Sequence, residues 1–226
     1  MLKKILRKLH VIHSIYIKHK FFIKKKSYAM NNEDTVVLDY FKNKKNGFYV
    51  DIGCYHPIHL NNTQLLHEKN WNGINVDTSQ FSIHLFNHMR PKDLNYNCAI
   101  SNKNEVIKVF YQKELSQLST TEKTQAKAVF QGNIKEKEIQ AFTLNEILSR
   151  DKYRDNKIDF LDIDVEGADL KVLEGLSFNK FKPELICIEI HEKEIELSKI
   201  YKFLVDKKYE LIWSGVFSYI FKRLQN

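Results

Sequence analysis

From residue 46 onward, short apolar runs alternate with amphipathic segments along the chain. The runs have the length of strands and are rich in aromatic and β-branched residues, while the amphipathic segments follow a helical period. The pattern predicts strands at 48–52, 73–76, 94–100, 106–111, 138–142, 158–163, 185–190, 209–214 and 216–222, and helices at 34–41, 60–69, 81–89, 143–150, 170–175 and 195–206. Strands that alternate with helices predict an α/β fold with a mostly parallel sheet, which the last two strands close as an antiparallel hairpin around Gly215.

Two of these strands end in an acid. Asp51 is followed by Gly53, which can adopt a positive φ and lets the backbone approach a ligand closely. Asp77 ends the next strand, 26 residues later, a spacing that fits strand, loop, helix and strand. Because open α/β sheets bind ligands at the carboxyl ends of their strands, the pair predicts a nucleoside cofactor site in which Asp77 faces the ribose hydroxyls.

A second group of acids lies at 159–167, around the end of another strand. Alternation within that strand puts Asp162 and Asp164 on the same side, and Glu166 follows beside Gly167. Carboxylates gathered in a cleft either bind a cation or raise one another's pKa, so these acids are candidate site residues. The alternative is that some of them cap the helix that begins near Leu170.

Histidines provide candidate acid–base groups near two strand ends. Glu189 and His191 alternate onto one face at the end of the strand at 185–190, where an acid can orient or charge the natural base of neutral pH. His56 follows Gly53 and would line the mouth of the cofactor site, where it could touch a substrate. The alternatives are a pair of solvated loop residues at 189 and 191, and a helix cap at 56.

The segment at 112–135 has no clear hydrophobic period and is rich in Ser, Thr, Gln and Lys. A long unpatterned segment in a compact domain is usually functional or mobile. We interpret it as a loop or lid near the substrate, with mobility alone as the alternative.

The basic character of the chain belongs to an N-terminal helical extension, residues 1–45. Nine cations and no acid lie in residues 1–26, more than the net charge of +8, so the remainder of the chain is close to neutral. The helix could lie on anionic lipid or pack on its own domain. The segment has one Arg and no recognised nucleic-acid motif, so we expect no nucleic-acid partner. Apolar residues recur in it at helical spacing: Leu2, Ile5, Leu6, Leu9, Ile12 and Tyr16.

Several classes of protein lack their signatures in the chain. Cys54, Cys98 and Cys187 are widely spaced, which predicts reduced thiols in a cytoplasmic protein instead of a disulfide framework or a metal site. No run approaches the roughly 18 apolar residues of a transmembrane helix, and no small-residue cleavage site follows the N-terminal apolar run. The glycine pattern of nicotinamide dehydrogenases, the phosphate-binding loop, the HExxH motif and the Gly-x-Ser-x-Gly elbow do not occur.

Four segments together resemble the FkbM-type S-adenosylmethionine-dependent methyltransferases: FYVDIG at 48–53, INVD at 74–77, IDFLDIDVEGADLKVLEGL at 158–176 and PELICIEIH at 183–191. The resemblance covers roughly residues 46–222. It implies a class I methyltransferase domain over 46–226, with a Rossmann-like, mostly parallel seven-stranded sheet. It also implies transfer of a methyl group from S-adenosylmethionine to an oxygen, often on a sugar or a natural product.

The resemblance implies a donor site in which strand ends hold the methionine part, the ribose and the adenine of the cofactor: Asp51, Gly53, Tyr55, Asp77, Thr78, Ala99 and Asp164. It implies an acceptor site beside it, with catalytic candidates Asp164, Glu189 and His191 and substrate contacts at His56, Glu166 and His191. A divalent cation on Asp164 and Glu189 is the alternative to His191 as the group that removes or acidifies the acceptor proton. Asp162 stands where the family commonly has a Lys, which favours such a cation.

We therefore expect an S-adenosylmethionine-dependent O-methyltransferase that acts on a sugar or glycan-related hydroxyl in surface polysaccharide biosynthesis. The resemblance and the basic tail suit a cytoplasmic location or the inner face of a membrane. The non-enzymatic alternative is a Rossmann-like protein that docks to a membrane or a glycan-assembly complex through residues 1–26. Binding of S-adenosylmethionine distinguishes the two, since only the enzyme requires it.

Overall fold

The computed structural model describes residues 2–150 and 157–224. Its strands are Phe48–Ile52 (β1), Asn72–Asp77 (β2), Leu94–Asn97 (β3), Ala99–Ile100 (β4), Glu105–Tyr111 (β5), Lys135–Phe142 (β6), Phe160–Ile163 (β7), Leu185–Glu189 (β8), Tyr209–Ser214 (β9) and Ser218–Arg223 (β10). Its α-helices are Leu2–Ile12 (α1), Glu33–Tyr40 (α2), Gln64–Glu68 (α3), Gln80–Met89 (α4), Lys123–Val129 (α5), Leu144–Ser149 (α6), Asp169–Glu174 (α7) and Lys199–Asp206 (α8). A π-helical turn, His13–Lys18, extends α1, and a 3-10 turn, Ile195–Leu197, precedes α8.

Seven strands form one sheet in the order β3-β2-β1-β7-β8-β10-β9. Neighbouring strands are parallel except in the two pairs that involve β10. The predicted α/β fold is confirmed, including the mostly parallel sheet and the C-terminal antiparallel hairpin of β9 and β10. The strand order reverses between β1 and β7, and ligands of open α/β sheets bind at such a switch point.

Both faces of the sheet are covered, which explains the uninterrupted apolar strands. Along β1, Val50 and Ile52 face a core that includes residues of α6, α7 and α8. Tyr49 faces a second core with Trp71 and Phe160. Since each face is buried, the register of the strands is fixed.

This register brings the residues that follow the strands to one edge of the sheet. Ile52 of β1 pairs with Val76 of β2 and with Ile163 of β7. The next positions, 53, 77 and 164, therefore meet at the carboxyl edge.

A second, three-stranded sheet has the order β4-β6-β5. Between β5 and β6 in the chain lies α5, inside the segment expected to be a loop or lid. Ala126 of α5 packs with Phe110 and Phe130. The segment expected at 112–135 as a loop or lid therefore contains a helix at 123–129. Because Ala126 is the buried residue of this helix, the sequence shows no apolar stripe there.

Three predicted elements are divided or shortened in the structure, and the strands expected at 138–142, 158–163 and 216–222 begin instead at Lys135, Phe160 and Ser218. The strand expected at 94–100 is divided at Cys98, so that β3 joins the large sheet and β4 the small one. The helix expected at 60–69 begins only at Gln64, because Leu60 has a φ of +50°, which a right-handed helix does not allow. The helix expected at 195–206 is interrupted at Ser198, whose Oγ accepts from the Ile200 amide at 3.1 Å and caps α8.

The N-terminal segment is attached to the domain. Val11 and Ile15 are buried in a cluster with Ile58, Leu65 and Phe81. The helix that the apolar spacing predicts forms as α1. Within residues 2–150 and 157–224, every helix is too short or too polar to span a bilayer.

Candidate active site

The ends of β1, β2 and β7 enclose a narrow crevice at the switch point of the sheet. Six of the seven residues predicted to hold a cofactor line it, and Asp51 is the exception. The remaining walls come from β4 and from the segment after β5. The lining includes Gly53, Tyr55, Asp77, Thr78, Cys98, Ala99, Ser116, Gln117, Thr120, Asp164 and Val165.

Gly53 allows the turn after β1 to pass directly against the end of β7. Its φ is +85°, and a Cβ at this position would lie 1.7 Å from the carbonyl oxygen of Asp164. The Gly53 amide donates to the Val76 carbonyl at 2.9 Å, which ties the same turn to β2. A side chain at 53 would therefore push β1 and β7 apart.

Asp77 is held by backbone amides at the end of β2. Its carboxylate oxygens accept from the Tyr55 amide at 2.8 Å and from the Ser79 amide at 2.6 Å. Burial raises the pKa of Asp77, and the two amides act in the opposite direction. Each oxygen keeps a further lone pair, so the fixed carboxylate can accept hydrogen bonds from a pair of hydroxyls.

Lys137 of β6 supports the same corner of the crevice and was not among the predicted site residues. Its Nζ donates to the Thr78 carbonyl at 2.6 Å, and its charge lowers the pKa of Asp77. The alternating Lys and Glu residues at the start of β6 are typical of an exposed strand, so the sequence carries no signal for this contact.

Asp51 lies behind the crevice. The side chain is buried, and Oδ2 accepts from Thr63 Oγ1 at 2.7 Å and from Asn61 Nδ2 at 3.1 Å. Burial raises the pKa of Asp51 to about 6, against the opposing effects of Arg90 and of the two donors. Asp51 thus positions the loop between β1 and α3. Its direct contact with a cofactor stays a prediction, which this placement does not favour.

Arg90 organises the same loop and has no counterpart among the predicted site residues. It follows the last residue of α4, where an Arg is usually exposed and interacts with the helix dipole, so the sequence does not reveal its role. The guanidinium is fully buried. It donates to Tyr49 Oη at 3.1 Å, Thr63 Oγ1 at 2.8 Å, the Pro57 carbonyl at 2.9 Å, Asn61 Oδ1 at 2.8 Å and Gln64 Oε1 at 3.1 Å.

Asp162 is also buried behind the crevice. It pairs in register with Asp51 and accepts from Asn62 Nδ2 at 3.0 Å. Burial, and then the Asp51 carboxylate, raise the pKa of Asp162 well above its usual range. β7 ends at Ile163, so Asp162 lies within the strand and Asp164 directly follows it. That the two side chains share one face stays a prediction.

A second pocket, of about 270 Å³, adjoins the crevice. The two share Gly53, Tyr55, Gln117 and Asp164. The candidates predicted for the acceptor side, apart from His56, come together in this second pocket. Its other lining residues include Asn31, Asn62, Gln125, Glu166, Glu189, His191 and Phe217.

Glu189 and His191 form a close pair in the second pocket. His191 Nε2 lies 3.0 Å from Glu189 Oε2, although this oxygen accepts no aligned hydrogen bond from the described residues. Burial, and then Glu166 and Asp169, raise the pKa of Glu189 to about 8.

Three side chains of this pocket have the spacing of a cation site. Ligand atoms of Glu166, Glu189 and His191 all lie within 4.8 Å of one another. The predicted cation pair was Asp164 with Glu189. In the structure it is Glu166 and His191 that accompany Glu189 in this group.

Asp164 stands where the two pockets meet. Burial raises the pKa of Asp164 well above its usual range, and the carboxylates of Glu189 and Glu166 raise it further. Because the residue is exposed to the cleft, water weakens the effect of burial, and repulsion by the neighbouring carboxylates remains. Burial and Asp169 likewise raise the pKa of Glu166 to about 7.

Among the described residues, Asp169, and neither Asp164 nor Glu166, accepts hydrogen bonds from backbone amides at the start of α7. Asp169, the first residue of α7, accepts from the Val165 amide at 3.1 Å and from the Gly167 amide at 3.0 Å. Asp164 and Glu166 are left to face the pockets.

His56 lies outside the lining of both pockets. The ring is buried, lies 3.3 Å from Ser14 Oγ and accepts through Nδ1 from the Ile58 amide at 3.2 Å. Burial, and then His19 and His59, lower the pKa of His56 to about 2. The structure gives His56 a packing role between the N-terminal segment and the loop after β1. Its contact with a substrate stays a prediction.

A further cavity, of about 520 Å³, lies between α1 and α4. Lys3, Arg7 and His84 line it, and Thr78, Val109 and Ser119 line both this cavity and the crevice. We assign the chemistry to the crevice and the second pocket because the strand-end carboxylates Asp164, Glu166 and Glu189 lie there.

The sheet and its acid-lined switch point define the class of the protein. The sheet has seven strands and is parallel except at β10, which lies between β8 and the edge strand β9. This is the arrangement of the Rossmann-like methyltransferases. The methyltransferase FkbM domain family matches residues 51–211, well over half of the chain. The chain belongs to this family, which confirms the resemblance seen in the sequence. No curated protein matches the chain.

Proposed function

We propose that the chain is an S-adenosylmethionine-dependent O-methyltransferase that acts on a hydroxyl of a sugar or glycan-related molecule. The observation that carries the proposal is the junction of two pockets at Gly53, Tyr55 and Asp164. One pocket presents the fixed carboxylate of Asp77, and the other presents Glu189 with His191. The junction is where a donor and an acceptor would meet, and such positioning can supply several kcal/mol of catalysis.

The crevice residues fit a sulfonium nucleoside. Asp77 has lone pairs available for two hydroxyls, and Thr78 and Ala99 provide the wall beside it. Asp164, at the other end, offers a carboxylate to a positive charge. When bound, the donor supplies an electrophilic methyl group.

His191 is the residue that we propose for the acceptor proton. A sugar hydroxyl is a weak nucleophile at neutral pH, and an imidazole is a suitable base there. When His191 takes up the proton, its Nε2 lies 3.0 Å from Glu189 Oε2, and the imidazolium favours the ionised form of that acid. Once ionised, Glu189 stabilises the imidazolium.

Replacement of His191 by Ala should lower kcat by about 10²–10⁴-fold, the usual size of a general-base contribution. Donor binding should not change, because the ring lies outside the crevice. Turnover of a labelled donor measures kcat, and calorimetric titration measures donor binding. His13→Ala removes an exposed histidine of the N-terminal segment and is the control. Normal turnover in His191→Ala would refute the role.

A divalent cation held by Glu166, Glu189 and His191 is the alternative means of acidifying the acceptor. Prolonged dialysis against EDTA separates the two mechanisms. Turnover that disappears and returns with Mg²⁺ or Mn²⁺ would assign the step to a cation. Turnover that persists would leave the step to His191.

The second pocket favours a polyol over an apolar acceptor. Asn31, Asn62 and Gln125 add amide groups to its carboxylates, and these groups hydrogen-bond hydroxyls. The Phe217 ring lies 5.6 Å from the His191 ring and can cover the apolar side of a sugar. The wider setting that we propose, surface polysaccharide biosynthesis in the cytoplasm or at the inner face of a membrane, rests on the family and on the basic tail.

Entry of the donor requires the segment after β5 to move. The crevice holds about 50 Å³, whereas small-molecule pockets hold about 300–1,000 Å³. Thr120 Oγ1 donates to the Glu166 carbonyl at 2.7 Å, and Lys171 pairs with Glu122 at 2.7 Å, so the segment is fastened over the crevice. We therefore assign residues 112–122 the role of a lid.

Titration with S-adenosylmethionine and with its demethylated product tests the proposed function. Each ligand should raise the unfolding temperature by mass action. Asp77→Asn should weaken binding, while Asp39→Asn, at an exposed position of α2, should not. Mass spectrometry of nucleotide sugars incubated with a labelled donor then identifies the acceptor. Failure of both ligands to bind would overturn the proposal and favour the non-enzymatic alternative.

A further inference from the structure

The N-terminal helix turns its apolar face away from the domain. Val11 and Ser14 are buried, the His10 ring lies 4.4 Å from the Phe81 ring, and Ser14 contacts His56, so this side faces the domain. The opposite side carries large apolar side chains that are 44–70% exposed: Leu2, Ile5, Leu9 and Ile12. Leu6 is also exposed and lines the cavity between α1 and α4. A helix of a globular protein normally buries such a face against its own core. The alternative of simple packing on the domain therefore does not account for this stripe.

Exposed apolar side chains also follow α1. Tyr16 packs against the domain, with its ring 6.0 Å from the His88 ring, whereas Ile17 is 62% exposed. Phe22 and Ile23 come next and are 71% and 49% exposed. Clustered exposed apolar side chains, such as those along α1, mark interaction sites in soluble proteins.

The positive charge of the same segment favours an anionic partner. Residues 1–26 carry nine cations and no acid, whereas the remainder of the chain is close to neutral. All the cations of residues 2–26 are exposed. Lys3 and Arg7 of α1 line the cavity against α4, while Lys4 and Lys8 lie outside that lining. Lys18 and Lys20 precede the run Phe21–Ile23, and Lys24 follows it. An apolar stripe flanked by lysines is the arrangement of helices that lie in the interface of anionic bilayers.

We propose that residues 2–26 dock the domain on an anionic lipid bilayer. Leu2, Ile5 and Leu9 enter the boundary between headgroups and acyl chains. The lysines pair with lipid phosphates, and Val11, Ser14 and Ile15 keep the helix attached to the domain. The docking does not depend on the methyltransferase reaction.

Vesicle binding of the full chain tests the docking. Phosphatidylcholine vesicles that contain phosphatidylglycerol should bind the protein, and vesicles of phosphatidylcholine alone should bind it about tenfold or more less tightly. Added salt should weaken the binding to anionic vesicles, because it screens the lysines. Equal binding to both kinds of vesicle, or none to either, would overturn the proposal.

A pair of matched variants locates the surface. Ile5→Asp with Leu9→Asp should reduce binding to anionic vesicles about tenfold or more, because it places acids in the proposed interface. Val106→Asp with Ile212→Asp makes the same change at exposed strand positions of the domain and should leave binding within roughly twofold of the unmodified protein. Circular dichroism of both double variants should match that of the unmodified protein. Equal binding of the two double variants would contradict the proposed surface.

An apolar stripe can also bind a second copy of the chain. Analytical sedimentation without vesicles tests this alternative. We expect a monomer. A dimer that Ile5→Asp with Leu9→Asp dissociates, combined with absence of vesicle binding, would assign the stripe to self-association and overturn the proposal.

Discussion

At the scale of single residues, Gly53 and Gly132 have nearly the same backbone conformation and very different surroundings. Their φ values are +85° and +87°. A Cβ on Gly53 would collide with the Asp164 carbonyl, whereas a Cβ on Gly132 would meet no atom within 4 Å. Substitution of Gly132 therefore measures the loss of unfolding free energy caused by a left-handed backbone alone. Substitution of Gly53 adds the loss caused by forcing β1 and β7 apart.

Gly132→Ala should therefore cost about 1–2 kcal/mol of unfolding free energy, the usual cost of that conformation. Gly53→Ala should cost about 1–3 kcal/mol more, because the collision adds overpacking at a strand end. It should also abolish donor binding. Urea unfolding and calorimetric titration of both variants measure the two effects. Equal losses of stability would show that the strand ends can relax around a methyl group.

The carboxylates at the junction of the pockets couple donor binding to protons. The pKa of Glu189 is raised to about 8, so the acid is mostly protonated at pH 7, and a sulfonium nearby would lower that pKa. S-adenosylmethionine should therefore release protons on binding, and its uncharged thioether product should release fewer. Calorimetry in buffers of different ionisation enthalpy measures the release. Glu189→Gln should remove most of it, and equal release by the two ligands would contradict the coupling.

The sequence predicted which residues lie at strand ends better than it predicted which way they point. Asp77, Asp164 and Glu189 line the pockets as expected. Asp51 and His56 do not, because their orientations depend on partners in other segments. Asn61 and Thr63 hold Asp51, and the N-terminal segment covers His56. No local pattern encodes such partners.

At the scale of elements, the loop between β1 and α3 owes its shape to the end of α4. Arg90 ties Pro57, Asn61 and Gln64 to one guanidinium, and the same residue contacts Tyr49 of β1. The loop that borders the crevice is thus ordered by buried hydrogen bonds as well as by apolar packing.

Arg90→Met should cost about 3–5 kcal/mol of unfolding free energy, because it leaves several buried acceptors and the nearby Asp51 without their cation. Donor binding should weaken as well, since Gly53 and Tyr55 belong to the same loop. Arg150→Met removes an Arg that pairs with Glu146 near the surface and should cost at most about 1 kcal/mol. Denaturant unfolding of both variants provides the comparison. Similar losses would show that the buried network contributes little.

The accuracy of the predicted elements follows the burial of each segment. β1 has the bounds expected from its apolar run, because both of its faces are covered. The division of 94–100 at Cys98 was missed because β4 pairs with β6, about 40 residues further along the chain. α5 was missed because a helix with little buried surface leaves no hydrophobic period.

At the scale of the whole molecule, alternation of strands and helices was enough to predict the class of fold. It was not enough to place the N-terminal segment, whose contacts are with distant parts of the domain. His56 is at the centre of this attachment, and its ring is fully buried beside Ser14. The attachment should therefore respond to pH.

The pKa of His56 falls from 6.5 to about 2 on folding, so the unfolded chain binds the proton first. Its contribution to stability is complete above about pH 6.5 and is lost at about 1.4 kcal/mol per pH unit as the pH falls. Buried acids with raised pKa values, such as Asp51 and Asp169, act in the opposite direction. The difference between variants isolates the histidine. His56→Gln should flatten the fall in unfolding free energy between about pH 6 and pH 4, while His13→Gln, at an exposed ring, should not.

Gly53 and the Asp164 carbonyl that it touches are separated by more than 100 residues of chain, and Glu189 is further still. During synthesis, β1 and β2 leave the ribosome before β7, the strand with which β1 pairs. The proposed active site should therefore not form until β8 has emerged.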